Sequence, residues 1–245
     1  MRRNNNINIL LYHQIGDTPQ KDTNLDCFCN STQFYRQMDF LNNSNFKVIS
    51  LSKASEIISN KMLIDYNYVV LTFDDGCEKF YDITYPILEQ FNFPSTIYPV
   101  AGYLGKDANW GEKKYPGLKI LSKSMLNDLS KSAVEIGAHT MDHLKLTQVD
   151  LETASLQILE SKSLLEQILG KRINSFSYPH GAFNKNITEL VKDAGFENAM
   201  TCIPKFAQDC KSIYELPRKY ITYFDTLESF NLKLNNTQNE PISNF

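Results

Sequence analysis

Val69-Val-Leu-Thr-Phe-Asp-Asp-Gly76 begins as an unbroken apolar run and ends in two adjacent carboxylates and a glycine. A short apolar run bounded by a turn signal reads as a strand buried on both faces. Its ending reads as chemistry, because neighbouring carboxylates repel and burying either one without a partner is costly. A cation is therefore expected beside them. Neighbours along a strand face opposite sides, but a following glycine lets the chain turn, so Asp74 and Asp75 can lean into one mouth. The same residues also suit an ordinary turn.

Two strand–helix units further on, by the usual lengths, Val134-Glu-Ile-Gly-Ala-His139-Thr-Met-Asp-His143 again follows an apolar run. His139 and His143 are four apart, so on a helical turn both imidazoles project from one side, as a divalent metal requires. The pattern resembles the zincin motif, but Thr140 stands where that motif needs a glutamate base. What remains is a pair of metal-type histidines in need of an acidic ligand and a base. Asp74 and Asp75 offer both.

With these residues in place the sequence resembles the polysaccharide deacetylases with a NodB homology domain, carbohydrate esterase family 4. Thr72-Phe-Asp-Asp-Gly76 matches that family's first motif, His139-Thr-Met-Asp-His143 its second, and Ser177-Tyr-Pro-His-Gly181 a variant of its third. Leu10-Leu-Tyr-His13, Phe34-Tyr-Arg-Gln-Met-Asp-Phe-Leu41 and Leu216-Pro-Arg-Lys-Tyr-Ile221 resemble the branch that includes the poly-N-acetylglucosamine deacetylases. The implied fold is α/β, a distorted, incomplete (β/α) barrel with fewer strands than the regular eightfold form. One catalytic domain is expected over residues 1–230, with a polar, flexible tail over 231–245.

The resemblance implies a metal-dependent hydrolase that removes N-acetyl groups from an N-acetylated sugar, polymeric or linked to a lipid or nucleotide. Asp75, His139 and His143 are the implied metal ligands and Asp74 the implied base. Such a donor set suits zinc foremost, and also iron, cobalt or nickel as divalent ions. The family's late Leu-x-His motif, its usual source of the acid, is absent. In the branch this chain most resembles an N-terminal Tyr-His supplies it, which nominates His13. Pro179 and His180 occupy the family's Pro-Tyr positions, where a backbone N–H binds the oxyanion. The His180 side chain has three open roles: covering the acetyl group, adding a metal contact, or competing with His13 as acid. Tyr178, Pro179, Trp110 and Arg218 complete the expected substrate contacts. For Arg218 two other readings stand, a buried guanidinium orienting Asp74 and an exposed salt bridge. Trp110 lies in the insertion 101–121 with Tyr103 and Tyr115, as a substrate wall or as packing of a long loop. An amidohydrolase acting on a non-sugar amide and a carbohydrate-binding relative without catalysis are the alternatives. Retention of Asp74 beside all three ligands argues against the latter, since binding alone needs no base.

Composition agrees with one enzyme domain. A chain of 245 residues supports one large core, and α/β barrels use this length without splitting. A net charge of −3 with interspersed signs argues against nucleic acid as a partner, because phosphate binding demands a basic face. The oligomeric state is not legible. Five cysteines form no disulfide framework, and Ile7-Asn-Ile-Leu-Leu-Tyr12 after Arg2-Arg3 is too short and interrupted for a signal peptide. No stretch has the length of a membrane span. A cytoplasmic protein is the expectation.

Alternating patterns predict strands at 7–12, 68–73, 95–100, 134–138, 175–178, 198–202 and 219–223, and helices at 33–42, 84–90, 124–130, 150–169 and 184–194. Each nominated residue of the three motifs follows a strand, which in a parallel barrel gathers them on one face.

Overall fold

The computed structural model describes residues 5–20, 23–110 and 118–236. Among these residues ten strands occur in chain order: β1 (Ile7–Tyr12), β2 (Gln14–Gly16), β3 (Phe28–Asn30), β4 (Phe46–Val48), β5 (Asn67–Asp75), β6 (Ser95–Pro99), β7 (Val134–Ile136), β8 (Ser175–Ser177), β9 (Asn198–Met200) and β10 (Lys219–Tyr220). Seven α-helices alternate with them: α1 (Ser31–Asn42), α2 (Leu51–Ser59), α3 (Tyr85–Gln90), α4 (Lys123–Leu129), α5 (Leu151–Leu169), α6 (Lys185–Asp193) and α7 (Leu227–Asn235).

The principal sheet runs β10-β1-β5-β6-β7, entirely parallel. Short β4 pairs with the start of β5, and β6 pairs with its end. Beyond β7 the ladder thins to one bridge, Ala138 to Phe176, leading to the β8–β9 pair, and another, Met200 to Leu216, leading back towards β10. Among the described residues the ring does not close as a continuous ladder. This is the expected incomplete barrel.

Strand alternation assigns the two faces. Ile7, Ile9 and Val70 join Tyr98, Met200 and Leu216 in one buried cluster with Leu51, Ala54 and Ile57 of α2. Leu10, Tyr12, Val69, Leu71 and Phe73 face the other way, into a larger cluster with the surrounding helices. By the period of two, Thr72 and Asp74 share the face of Val70, so a polar column tops an apolar base inside the ring.

Two sequence expectations need correction. The tail was to begin at 231, yet α7 continues to Asn235 with Thr226 as its N-cap. Phe230 and Leu234 are buried, each side chain worth roughly 1.5–3 kcal/mol of transfer free energy, and Lys219 anchors the helix end by donating from Nζ to the carbonyls of Lys233 and Asn236. Asparagine-rich composition hid that spacing. The rest of the expected tail, 237–245, lies outside the described residues, as do Arg2, Arg3 and Tyr115. Helix α2 was also not predicted, its apolar positions being diluted by serines.

The second correction concerns His139 to His143. No helix forms there. Thr140 and His143 have φ of 64° and 57°, so the chain makes two left-handed bends instead. The segment is braced by Ala101 N–H donating to Thr140 O (3.0 Å) and Gly102 N–H donating to Met141 O (2.9 Å). A Cβ on Gly102 would lie 2.5 Å from Met141 O, so only glycine permits that approach.

Candidate active site

Asp74 and Asp75 end β5 at the carboxyl-terminal mouth of the ring, and both reach the same space. Alternation alone would send Asp75 to the opposite face. Its φ of 69°, followed by 78° at Gly76, turns the strand exit and re-aims the carboxylate. A Cβ on Gly76 would meet Pro99 Cβ at 2.6 Å. Left-handed non-glycine residues are costly, and four of those described stand here: Asp75, Thr140, His143 and His180.

Asp75 Oδ1 lies 3.3 Å from His143 Nε2 and 3.6 Å from His139 Nε2. One ligand atom from each of the three residues lies within 4.8 Å of the others. That carboxylate oxygen is buried without a hydrogen-bond partner, an arrangement that costs about 1–3 kcal/mol or more if left so. The His139 ring is fixed by a 2.8 Å hydrogen bond from Nδ1–H to Ser177 O, which leaves the Nε2 lone pair facing Asp75. Orientation through the distal nitrogen is the usual support for a metal-ligating histidine. Burial, opposed by Asp74, brings His139 down to about 4, so its imidazole is neutral near pH 7. Burial alone would raise the Asp75 carboxyl, but His143, His13 and His139 hold it below the usual carboxylate range. An orphaned carboxylate oxygen facing two imidazole nitrogens fits a divalent cation.

Asp74 has a different environment. Arg218 Nη1 donates to its Oδ1 (2.8 Å) and Nη2 to its Oδ2 (2.6 Å), a bidentate clamp. Ser177 Oγ–H adds 2.9 Å to Oδ2. Arg218 also donates to Thr201 O and Thr72 Oγ1. Both partners are buried, which excludes the exposed salt bridge considered for Arg218. Burial would raise Asp74, yet the guanidinium lowers it on balance.

His13 follows β1 into the same mouth. Its Nε2 lies 3.2 Å from Tyr220 Oη, while its Nδ1 is buried without a partner. Burial lowers its pKa, with Asp75 and Asp74 opposing. His180, exposed and left-handed at φ 59°, packs its ring 4.6 Å from that of His143. Trp110 flanks His143 on another side, centroids 5.0 Å apart, and is itself met edge-on by Tyr103. It is mostly buried and yet lies against the cluster. Tyr178 departs from expectation. Its side chain is buried in the core, stacked on Phe183, with Oη donating to Tyr214 O, so it offers no side-chain contact to a substrate. Pro179 is buried beside it.

Sequence reasoning missed Ser177, whose carbonyl fixes His139 and whose hydroxyl touches Asp74. It stood in the third motif, but nothing marked a serine as a bridge between the two carboxylate systems. A cavity of about 440 Å³ opens elsewhere, at the amino-terminal ends of β7, β8 and β9, lined by Ser52, Ser55, Glu135, Arg172 and Asn198 among others. None of the nominated residues lines it.

A family profile described as "Polysaccharide deacetylase" matches residues 65–199, more than half of the chain. The chain is 22% identical over 215 residues to the Bacillus subtilis protein YxkH, covering 86% of this chain and 69% of that one. It is 25% identical over 200 residues to a poly-β-1,6-N-acetyl-D-glucosamine N-deacetylase of Staphylococcus aureus, covering 78% and 67% respectively. Among solved structures, the Streptococcus pyogenes deacetylase PplD in complex with acetate superposes with a TM-score of 0.82 at 21% identity, covering 94% of this chain and 98% of that one. No described helix is long and apolar enough to cross a membrane.

Proposed function

We propose, because this chain belongs to the polysaccharide deacetylase family, that it is a metal-dependent hydrolase removing N-acetyl groups from an N-acetylated sugar. One observation carries the reading: two adjacent carboxylates sit in opposite environments. Asp75 turns an unpartnered oxygen to two imidazole nitrogens, while Asp74 is clamped by Arg218. A divalent ion held by Asp75, His139 and His143 would activate a water and polarise the acetyl carbonyl.

The remaining tasks fall to side chains and backbone. Asp74, ionised and held in place by Arg218 and Ser177, takes the proton of the attacking water. An amine anion is a poor leaving group at neutral pH, so a proton must reach the departing nitrogen. His13 supplies it. The His180 backbone N–H serves as oxyanion donor, and Trp110 offers an aromatic wall to the sugar. The Staphylococcus aureus relative is, by name, a poly-β-1,6-N-acetyl-D-glucosamine N-deacetylase, which supports N-acetylglucosamine as the reacting unit here.

The test is acetate release with zinc from a panel: β-1,6- and β-1,4-linked N-acetylglucosamine oligomers, lipid- and nucleotide-linked N-acetylated sugars, and an N-acetylated amine that is not a sugar. Release from a sugar, lost in Asp74→Asn, is the expected result. Release from the non-sugar amide alone, or sugar binding with no acetate from any of them, would overturn the proposal.

A further inference from the structure

A phenol lies against His13. Tyr220 occupies the last position of β10, opposite Leu11 of β1, and its hydroxyl lies 3.2 Å from His13 Nε2. The two rings also pack against each other, centroids 5.1 Å apart at 34°. On its far side Tyr220 Oη meets Cys27 Sγ at 3.5 Å, and that sulfur accepts from Asn24 Nδ2 at 3.4 Å. Three links thus run from a surface loop to the imidazole. The other ring nitrogen, Nδ1, is buried and has no hydrogen-bond partner.

We propose that Tyr220 is the positioning residue of His13: its hydroxyl accepts from Nε2–H and donates to Cys27 Sγ, leaving Nδ1 to deliver the proton. The inference rests on the reading of His13 as the acid of an amide hydrolase. A group that transfers a proton from one ring nitrogen needs its other nitrogen held, or the ring samples two tautomers and several orientations. A phenol does this without charge, so Asp74 and Asp75 remain the anions that His13 experiences. Burial raises both Tyr220 and Cys27, the latter to about 12, which keeps the hydroxyl and the thiol protonated. The proton balance is simple. The imidazolium gives its Nδ1 proton to the departing amine nitrogen as the C–N bond breaks. Nε2–H stays on Tyr220 Oη throughout, and water returns a proton to Nδ1.

The experiment is long-range ¹H–¹⁵N correlation of the histidine rings in the full chain at pH 8, with His13→Gln identifying the His13 signals. Wild type should show His13 as a single Nε2–H tautomer. Tyr220→Phe, which keeps the ring and removes the hydroxyl, should show a mixture, and kcat for acetate release should fall about ten-fold with KM unchanged. Cys27→Ala should give a smaller shift in the same direction, and decides the matter if Tyr220→Phe does not fold. An Nδ1–H tautomer in wild type, or a tautomer unaltered in both variants, would overturn the proposal. If no acetate is released by wild type, the functional reading fails, while the spectra still decide whether Tyr220 holds His13.

Discussion

Arg218 and Lys219 are consecutive, cationic and completely buried, yet they serve different parts of the molecule. Arg218 immediately precedes β10 and Lys219 opens it, so alternation of the extended chain turns them to opposite faces. Arg218 points into the ring and pairs bidentately with Asp74, whose charge raises its pKa above the ordinary arginine value despite burial. Lys219 points outward among neutral acceptors, donating from Nζ to Asn8 Oδ1, Lys233 O and Asn236 O and lying over the Phe206 ring. Burial brings its pKa down to about 7. A cation buried against an anion makes a tool for chemistry. An amine buried against carbonyls makes a latch, here one that holds α7 to the sheet.

The contrast breaks first at Arg218. Arg218→Met removes half of a buried ion pair and should cost about 3–5 kcal/mol in urea unfolding, with acetate release lost. A variant of normal stability would mean that the clamp is dispensable. Next, Asp74→Asn should lower kcat by about 10²-fold or more while zinc content stays unchanged, because Asp74 lies beside the Asp75–His139–His143 cluster and not in it. Turnover near wild type would end its role as base.

Lys219→Met should cost only about 1–3 kcal/mol, from acceptors left unpaired, and leave kcat intact. Its pH signature is more specific. Between about 7 and the ordinary lysine value of 10.5, the unfolded chain binds a proton that the folded chain does not. Wild-type stability should therefore rise with pH across that window, by an amount on the order of a few kcal/mol, and stay level below it. Lys219→Met should lose this rise, and parallel stability curves for the two proteins would refute the lowered pKa of Lys219. The smallest effect is expected at Trp110, at the edge of the mouth. Trp110→Ala should raise KM roughly five-fold, the equivalent of about 1 kcal/mol of lost aromatic contact, with kcat little changed.

The same contrast marks what the sequence could and could not disclose. β1 is legible to the residue and β5 nearly so, because strands buried on both faces appear as predominantly apolar runs, even with Asn8 inside the first. Asp74, Asp75, His139 and His143 are legible as residues of one mouth because charge and imidazole follow such runs without a packing motive. Their geometry was not, since left-handed turns at Asp75, Thr140 and His143 replace the helical turn that four-residue spacing suggests. The contacts that tune the site were the least visible. Arg218 meets Asp74 across 144 positions of sequence, a pairing that stood among the readings open for that arginine, whereas Tyr220 meets His13 across 207 and no local pattern encodes that contact.

The most direct test of the central claim is metal content. Metal-free wild type and His139→Ala would be equilibrated with substoichiometric zinc, passed through gel filtration and assayed for bound ion. Wild type should retain the zinc supplied, approaching one ion per chain as the ratio is raised, and His139→Ala should retain almost none. A wild type that emerges empty, or a variant that retains as much as wild type, would contradict that claim.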